Sequence, residues 1–248
     1  MTKGLYIAAT TQYAGKNMLS IGLGLRLQKE DINLGYMKPV GAMPPEDSDL
    51  TVDEDASFVQ EVLGLDQPAD LVSPVLINQD FKMRAFAGQE KDAMPDIAAA
   101  YAKLSQGRDL MLVCGTKHCL AGKYCNLDGV HVAKALKLKT VVVDRLQNEV
   151  NYDELMCLKE LLGEGMIGVV INDVPFSFMS EIDSVIKPFL ERNGIQILGV
   201  IPRDPLMGSI RAHELAVGLG GRLVAPQGRA ARMGENFLIR PMPVDNFM

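Results

Sequence analysis

Six short apolar runs punctuate the chain: LYIAA at 5–9, NLGYM at 33–37, DLMLVC at 109–114, TVVVD at 140–144, IGVVIN at 167–172 and IQILGVI at 195–201. Each is rich in aliphatic or β-branched residues, and each predicts a strand buried on both faces. Between them, apolar positions recur at helical spacing over 18–29, 57–63, 97–104, 130–136, 153–162, 182–192 and 210–219. Strands alternating with helices predict right-handed βαβ units. The fold class expected is α/β, a three-layer, doubly wound, mainly parallel sheet.

Two stretches interrupt this pattern. Residues 44–55 are acidic and proline-bearing, which predicts an exposed, mobile loop. After Gly220-Gly221 the composition shifts to Arg222, Arg229, Arg232 and Arg240 with Pro226, Pro241 and Pro243. One domain is therefore expected over 1–221, followed by a linker region over 222–248. No internal repeat is visible.

Composition narrows the function. A chain of 248 residues with 48% hydrophobic content can bury a full core. Its 31 acidic and 25 basic residues leave a net charge of −6, which opposes a general interaction with nucleic acid but not a locally held anion. No apolar run approaches the ~18 residues of a membrane span, and the opening MTKGLYIAAT is too short in its apolar part for a signal peptide. The expected location is cytoplasmic, with no membrane partner. Four cysteines in such a chain read as free thiols or ligands.

The first predicted strand runs into Thr10-Thr11-Gln12-Tyr13-Ala14-Gly15-Lys16-Asn17, and a helix follows near Met18. Strand, loop, helix is the context a phosphate-binding loop requires: backbone N–H groups and the helix N-terminus face the anion, Gly15 permits close approach, and Lys16 supplies a cation. Two positions depart from that pattern. Thr10 stands where a first glycine is usual, and Asn17 replaces the hydroxyl residue that normally ligates Mg²⁺. On these residues alone, a tight turn with an exposed lysine is the competing reading. The second strand ends in Met37-Lys38-Pro39-Val40-Gly41, placing a further lysine at the carboxyl edge of the sheet, where open α/β folds bind ligands. Asp53-Glu54-Asp55-Ala56 opens the next helix, and Asn172-Asp173-Val174-Pro175 and Ile201-Pro202-Arg203-Asp204-Pro205 lie on the later edge.

In their order these motifs resemble the dethiobiotin synthetase and cobyrinic acid a,c-diamide synthase group of P-loop proteins, including the related N-terminal domain of some phosphate acetyltransferases. The resemblance covers about residues 3–220. It implies a P-loop NTPase-like fold and a bound adenine nucleotide, ATP or ADP. The phosphates would lie on Thr11, Gln12, Tyr13, Ala14, Gly15, Lys16, Asn17 and Met18. Asn172 would recognise adenine, and Pro202 belongs to a loop closing over the base. Lys16 and Lys38 would be the catalytic lysines, with Mg²⁺ left to Asn17 and Asp55. SPVLI at 73–77 matches a proline-containing segment of the same group, and a homodimer is implied. Cys114-Gly115 stands where the group carries a Glu-Gly pair whose carboxylate helps hold Mg²⁺. The tail from Met233 resembles the opening of a DRTGG domain.

Cys114, His118, Cys119 and Cys125 lie close together in sequence. Soft ligands in one loop invite a metal or a redox role, although the spacing is not a standard zinc pattern; inert thiols are the plainer reading. Asp144, at a strand end, suits either a metal carboxylate or a cap for the next turn, the cap being favoured. His131 falls in a helical run, and Arg211 and His213 are expected on the last helix, facing solvent. Three functions follow: a nucleotide-binding module with degenerate Mg²⁺ and catalytic positions, serving a larger protein as a regulatory or sensing unit; an active ATP-dependent carboxylate-activating ligase; and a Cys/His metal or redox module.

Overall fold

A computed structural model of the chain describes residues 3–42, 52–222 and 233–234. The chain begins with β1 (Lys3–Ala9), α1 (Lys16–Gln28), β2 (Leu34–Met37), β3 (Val40–Ala42), α2 (Glu54–Leu63), α3 (Ala69–Val72) and β4 (Val75–Ile77). It continues through α4 (Gln79–Phe86), α5 (Met94–Leu104), β5 (Leu110–Cys114), α6 (Gly129–Ala135), β6 (Lys139–Asp144) and α7 (Glu149–Leu162). The later elements are β7 (Met166–Val174), α8 (Met179–Glu181), α9 (Lys187–Arg192), β8 (Ile197–Pro202), β9 (Ile210–Arg211), α10 (Ala212–Gly218) and β10 (Met233–Gly234).

All six predicted strands form one sheet, ordered β2-β5-β1-β6-β7-β8. The pairs β2–β5, β5–β1, β1–β6 and β6–β7 are parallel, with Ile7 opposite Cys114 on one side and Val141 on the other. Consecutive residues of β1, β5 and β6 are buried, so both faces of the sheet are covered and none of the three strands alternates apolar with polar. The chain leaves β1 for β2 on one side, and later crosses from β5 to β6 on the other side of β1. The carboxyl end of β1 is thus a topological switch point, where open α/β sheets bind ligands.

Two features were not legible in the periodicity. Three-residue β3 and β4 pair in parallel as a separate small sheet, and α3 and α4 fill the stretch between α2 and α5. The expected helix at 182–192 opens as a π-helical turn, Ile182–Ile186, before α9. The helix expected from 210 starts at Ala212, because Ile210 and Arg211 form a strand antiparallel to β10; Arg211 is therefore not a helical residue.

The chain divides into two compact units, Met1–Ile201 and Pro202–Met248. This division falls earlier in the chain than the glycine pair at 220–221. The second unit carries a 3-10 turn at Pro205–Gly208, the β9–β10 ladder and α10, with His213 exposed. Most of the acidic stretch expected as a mobile loop, and the tail with its DRTGG resemblance apart from Met233 and Gly234, lie outside the described residues. Of that acidic stretch, Asp53 is buried, whereas Glu54 and Asp55 are exposed as expected.

Candidate nucleotide-binding site

The turn between β1 and α1 has the form a phosphate needs. Gly15 is the N-cap of α1 in a left-handed conformation (φ 110°), and no side chain caps the helix. No acidic residue lies in its first turn either. The first backbone N–H groups and the positive end of the helix dipole are therefore available to an anion. A Cβ on Gly15 would stand 2.3 Å from the Asn172 amide nitrogen, so this position tolerates only glycine. Asn172, at the end of β7, donates from Nδ2 to the Ala14 carbonyl at 2.8 Å. Tyr13 is 82% exposed at φ 62°, an uncommon backbone conformation for an aromatic residue.

Thr10, in the position of the usual first glycine, has a role of its own. Its hydroxyl donates to the buried Asp144 carboxylate at the end of β6, and Asn151 Nδ2 lies 3.5 Å from Thr10 Oγ1 and 3.4 Å from Asp144 Oδ2. Asp144 also accepts from the Leu146 N–H, the capping role expected of it. Burial raises its pKa against these hydrogen bonds. The network fixes the start of the phosphate loop against β6.

Lys16 is 9% exposed, and its ammonium donates to the Lys117 carbonyl at 2.6 Å. Burial lowers its pKa; Lys38 acts in the same direction, while Asp55 opposes. Lys38 is 5% exposed at the end of β2. Its ammonium pairs with Asp53 Oδ1 at 2.7 Å and Asp55 Oδ2 at 2.8 Å. Burial works against this charge, but the two carboxylates outweigh it and hold the pKa above the ordinary value. Asp53 caps α2 through the Ala56 N–H and accepts from the Ala42 N–H, each at 2.8 Å. Gly41 lets Asp53 approach, since a Cβ there would meet Asp53 Oδ2 at 2.9 Å. Both oxygens of Asp53 are thus committed. The Asp55 side chain remains 59% exposed; burial opposes its charge, but Lys38, the Asn17 amide and Lys16 hold its pKa below the ordinary value.

The expected Mg²⁺ position carries few hard ligands. Cys114 is wholly buried, and its thiol lies 3.6 Å from Asn17 Oδ1, to which it donates. Burial pushes the thiol pKa up, against the nearby Lys16 and Lys38, so Cys114 stays protonated. Asp55 supplies one carboxylate and Asn17 one amide oxygen already engaged by the thiol. Two such oxygens fall short of the near-octahedral oxygen set that Mg²⁺ takes, so the rest of its shell would fall to water and the phosphates.

The Cys/His cluster does not converge. Among the described residues, no group of three or more His, Cys, Asp or Glu stands close enough to hold a metal ion. Burial raises the pKa of Cys119 to about 12 and also raises that of Cys125, the reverse of what a reactive thiol needs. The metal or redox module thus loses both its geometry and its chemistry. His131 is committed to Asp128, with Nδ1 2.6 Å from Oδ2. Pro202 opens the second unit at the end of β8.

Sequence reasoning placed Lys16, Lys38, Asn17, Asp55 and Cys114 at one edge, and the structure links them through Asp55, Asn17 and their neighbours. It names Asp53 within the acidic segment but not its pairing with Lys38, and it misses Asn151. Asp53 had a signal, an Asp three residues ahead of the first buried helical position, Ala56, which is an N-cap pattern. Asn151 has a local signal only for its capping of the start of α7, where it accepts from the Asn148 N–H; its contact with Thr10 is remote in sequence.

Known proteins fall in line with this geometry. The chain is 24% identical over 231 residues to the phosphate acetyltransferase of Pseudomonas putida, a match covering 88% of this chain and 32% of that protein. It is 25% identical over 202 residues to the ATP-dependent dethiobiotin synthetase BioD of Methanococcus vannielii, covering 79% of this chain and 92% of the relative. This chain thus spans about a third of the length of the phosphate acetyltransferases it matches. Among solved structures, the septum site-determining protein MinD of Pyrococcus horikoshii, complexed with Mg-ADP, superimposes with a TM-score of 0.50 at 14% identity, covering 83% of each chain. That likeness shows the P-loop NTPase type of fold. No helix among the described residues is long and apolar enough to cross a membrane. The AAA domain pattern (AAA_26) matches residues 3–211, and with a phosphate loop and parallel sheet of this form the chain belongs to that family.

Proposed function

We propose that this domain binds an adenine nucleotide, ATP or ADP, with its phosphates on the β1–α1 turn, and that it holds the nucleotide rather than turning it over. The observation that carries the reading is the uncapped N-terminus of α1 behind a left-handed Gly15, with Lys16 in its first turn. Thr11 to Met18 would line the phosphates. Asn172 would read the base through its amide oxygen, since its nitrogen holds Ala14. Any Mg²⁺ would rest on Asp55 and Asn17. Phosphoryl transfer relies on positioned positive charge between the phosphates, and a buried neutral thiol at Cys114 is a poor ligand for the Mg²⁺ that would supply it. As the match to phosphate acetyltransferases spans a third of their length, a regulatory or sensing role within a larger cytoplasmic protein fits the domain.

A second reading, an ATP-dependent ligase of the dethiobiotin synthetase or cobyrinic acid a,c-diamide synthase type, is favoured by Lys38 and Asp55 standing together at the site. Titration calorimetry with ATP and ADP, with and without Mg²⁺, tests the first reading; no binding at millimolar nucleotide overturns it. A phosphate-release assay with candidate carboxylate and diamine substrates separates the two. Turnover near about 1 s⁻¹, an ordinary enzyme rate, favours the ligase. The likeness to dethiobiotin synthetases also supports a homodimer, and light scattering at a mass of 27.0 kDa would count against it.

A further inference from the structure

The amino edge of the sheet, at the end of β6 away from the phosphate loop, carries a cavity of about 240 Å³. It lies where α6 turns into β6 and α7 turns toward β7. Three of its lining residues are buried and apolar, Ala133, Leu138 and Leu162, and three are exposed lysines, Lys134, Lys137 and Lys139. None of the six belongs to the nucleotide site.

The backbone there is specialised. The Leu138 N–H donates to the Ala133 carbonyl at 2.8 Å and the Lys137 N–H to the Lys134 carbonyl at 3.1 Å, which is the Schellman ending of a helix. Lys137 takes the left-handed position of that turn, at φ 54°, where glycine is the usual residue because it has no Cβ to strain. The chain thus holds a long cationic side chain at a backbone position that disfavours it.

Lysines can also serve the carbonyls that helices leave unpaired at their ends. Lys139 does so in part: its Nζ donates to the Glu164 carbonyl at 2.8 Å, just past the end of α7, and Lys159 Nζ reaches the Gly163 carbonyl at 3.4 Å. Among the described residues, none of the three cavity lysines stands in an ion pair. Glu164 is the single acid within 133–139 and 162–165. A helix end carries about half a negative charge, so three ammonium groups outweigh the two helix ends and this carboxylate together. The cavity is left with a positive rim over an apolar wall, in a chain whose net charge is −6.

We propose that this cavity is a second ligand site, for a small phosphate monoester, with its phosphate among Lys134, Lys137 and Lys139 and its carbon body on Ala133, Leu138 and Leu162. Lysine acts as a compact point charge on a flexible stem, which suits a small dianion better than a planar recognition element. The volume falls below the ordinary range for ligand pockets, about 300 to 1,000 Å³, so the occupant is smaller than a nucleotide. The site is independent of the nucleotide reading, and both can be filled at once because they lie at opposite ends of β6.

The test follows the backbone amide resonances of the isotope-labelled chain, titrated with glycerol phosphate, inorganic phosphate and glycerol. Glycerol phosphate should shift amides clustered at 133–139 and 162–165 with millimolar affinity, in wild type and in Lys16→Ala alike. Inorganic phosphate should bind there several-fold more weakly, and glycerol not at all. The double change Lys134→Gln, Lys137→Gln should weaken the ester by about tenfold or more, the scale of two exposed charge contacts. Lys137→Gly separates site from scaffold: it relieves the left-handed backbone, so it should raise the urea midpoint while weakening the ester. No shifts in these segments at tens of millimolar ester, or equal shifts in wild type and the double variant, overturn the site. Shifts that vanish in Lys16→Ala overturn it as well, assigning the ester to the phosphate loop. Equal affinity for inorganic phosphate and the ester overturns the role of the apolar wall. Failure to bind ATP would overturn the nucleotide reading alone.

Discussion

The Asn172 amide nitrogen donates to the Ala14 carbonyl at 2.8 Å, joining the end of β7 to the phosphate loop across 158 positions of sequence. The same nitrogen occupies the space that a Cβ on Gly15 would need. Asn172 therefore shapes the phosphate cradle, whatever its oxygen does for the base. Asn172→Ala should weaken inorganic triphosphate as well as ATP, and ATP by the larger factor, since ATP loses the base contact too. Competition calorimetry with both ligands checks this, and a loss confined to ATP would leave Asn172 with the base alone.

Lys16→Ala removes the one cation in the first turn of α1. The expected loss of ATP affinity is about 1.5 to 3 kcal/mol, the range for a hydrogen bond to a charged group. Direct titration measures it. Undiminished affinity would place the phosphates elsewhere.

Lys38 and Asp53 form a buried pair, and deleting the lysine leaves Asp53 as an uncompensated charge. Lys38→Met is expected to cost about 3 to 5 kcal/mol of stability, read from urea unfolding. A change of a few tenths would show that solvent reaches the carboxylate.

The same cluster sets a pH dependence. Lys38 has a raised pKa in the folded chain, so its contribution is complete below the ordinary lysine value of 10.5 and is lost as pH rises through the folded value. Asp55 has a lowered pKa, so its contribution is present above the ordinary 3.8 and is lost as pH falls through the folded value. Because Asp55 is more than half exposed, its limb should be the shallower one. Unfolding free energies of wild type and Lys38→Met across this range should converge at alkaline pH. Parallel curves would assign the alkaline limb to other groups.

Mg²⁺ dependence follows from Asn17 and Cys114. The double change Asn17→Thr, Cys114→Glu supplies a hydroxyl and a carboxylate where the chain has an amide and a thiol, and should make ATP affinity more dependent on Mg²⁺. Calorimetry with and without the metal decides it. Cys114→Glu also buries a new carboxylate between Lys16 and Lys38, so thermal unfolding should accompany the measurement.

Sequence alone determined what depends on neighbours along the chain. Short apolar runs bounded by polar residues and set between helical stretches suit strands of a covered sheet, and all six such runs are strands of one sheet. The phosphate loop was legible for the same reason: Gly15, Lys16 and the helix after them act through local backbone geometry. Tertiary structure decided whatever depends on residues far apart meeting. The sheet order brings β5 and β6 to either side of β1, so Cys114 comes under Asn17 and Asp144 comes to Thr10. Neither pairing leaves a local signal, because a hydrogen bond between positions 97 or 134 residues apart imposes no periodicity on the sequence between them. The same holds for the three-residue strands β3 and β4, too short to show a period, whose pairing helps bring Asp53 beside Lys38.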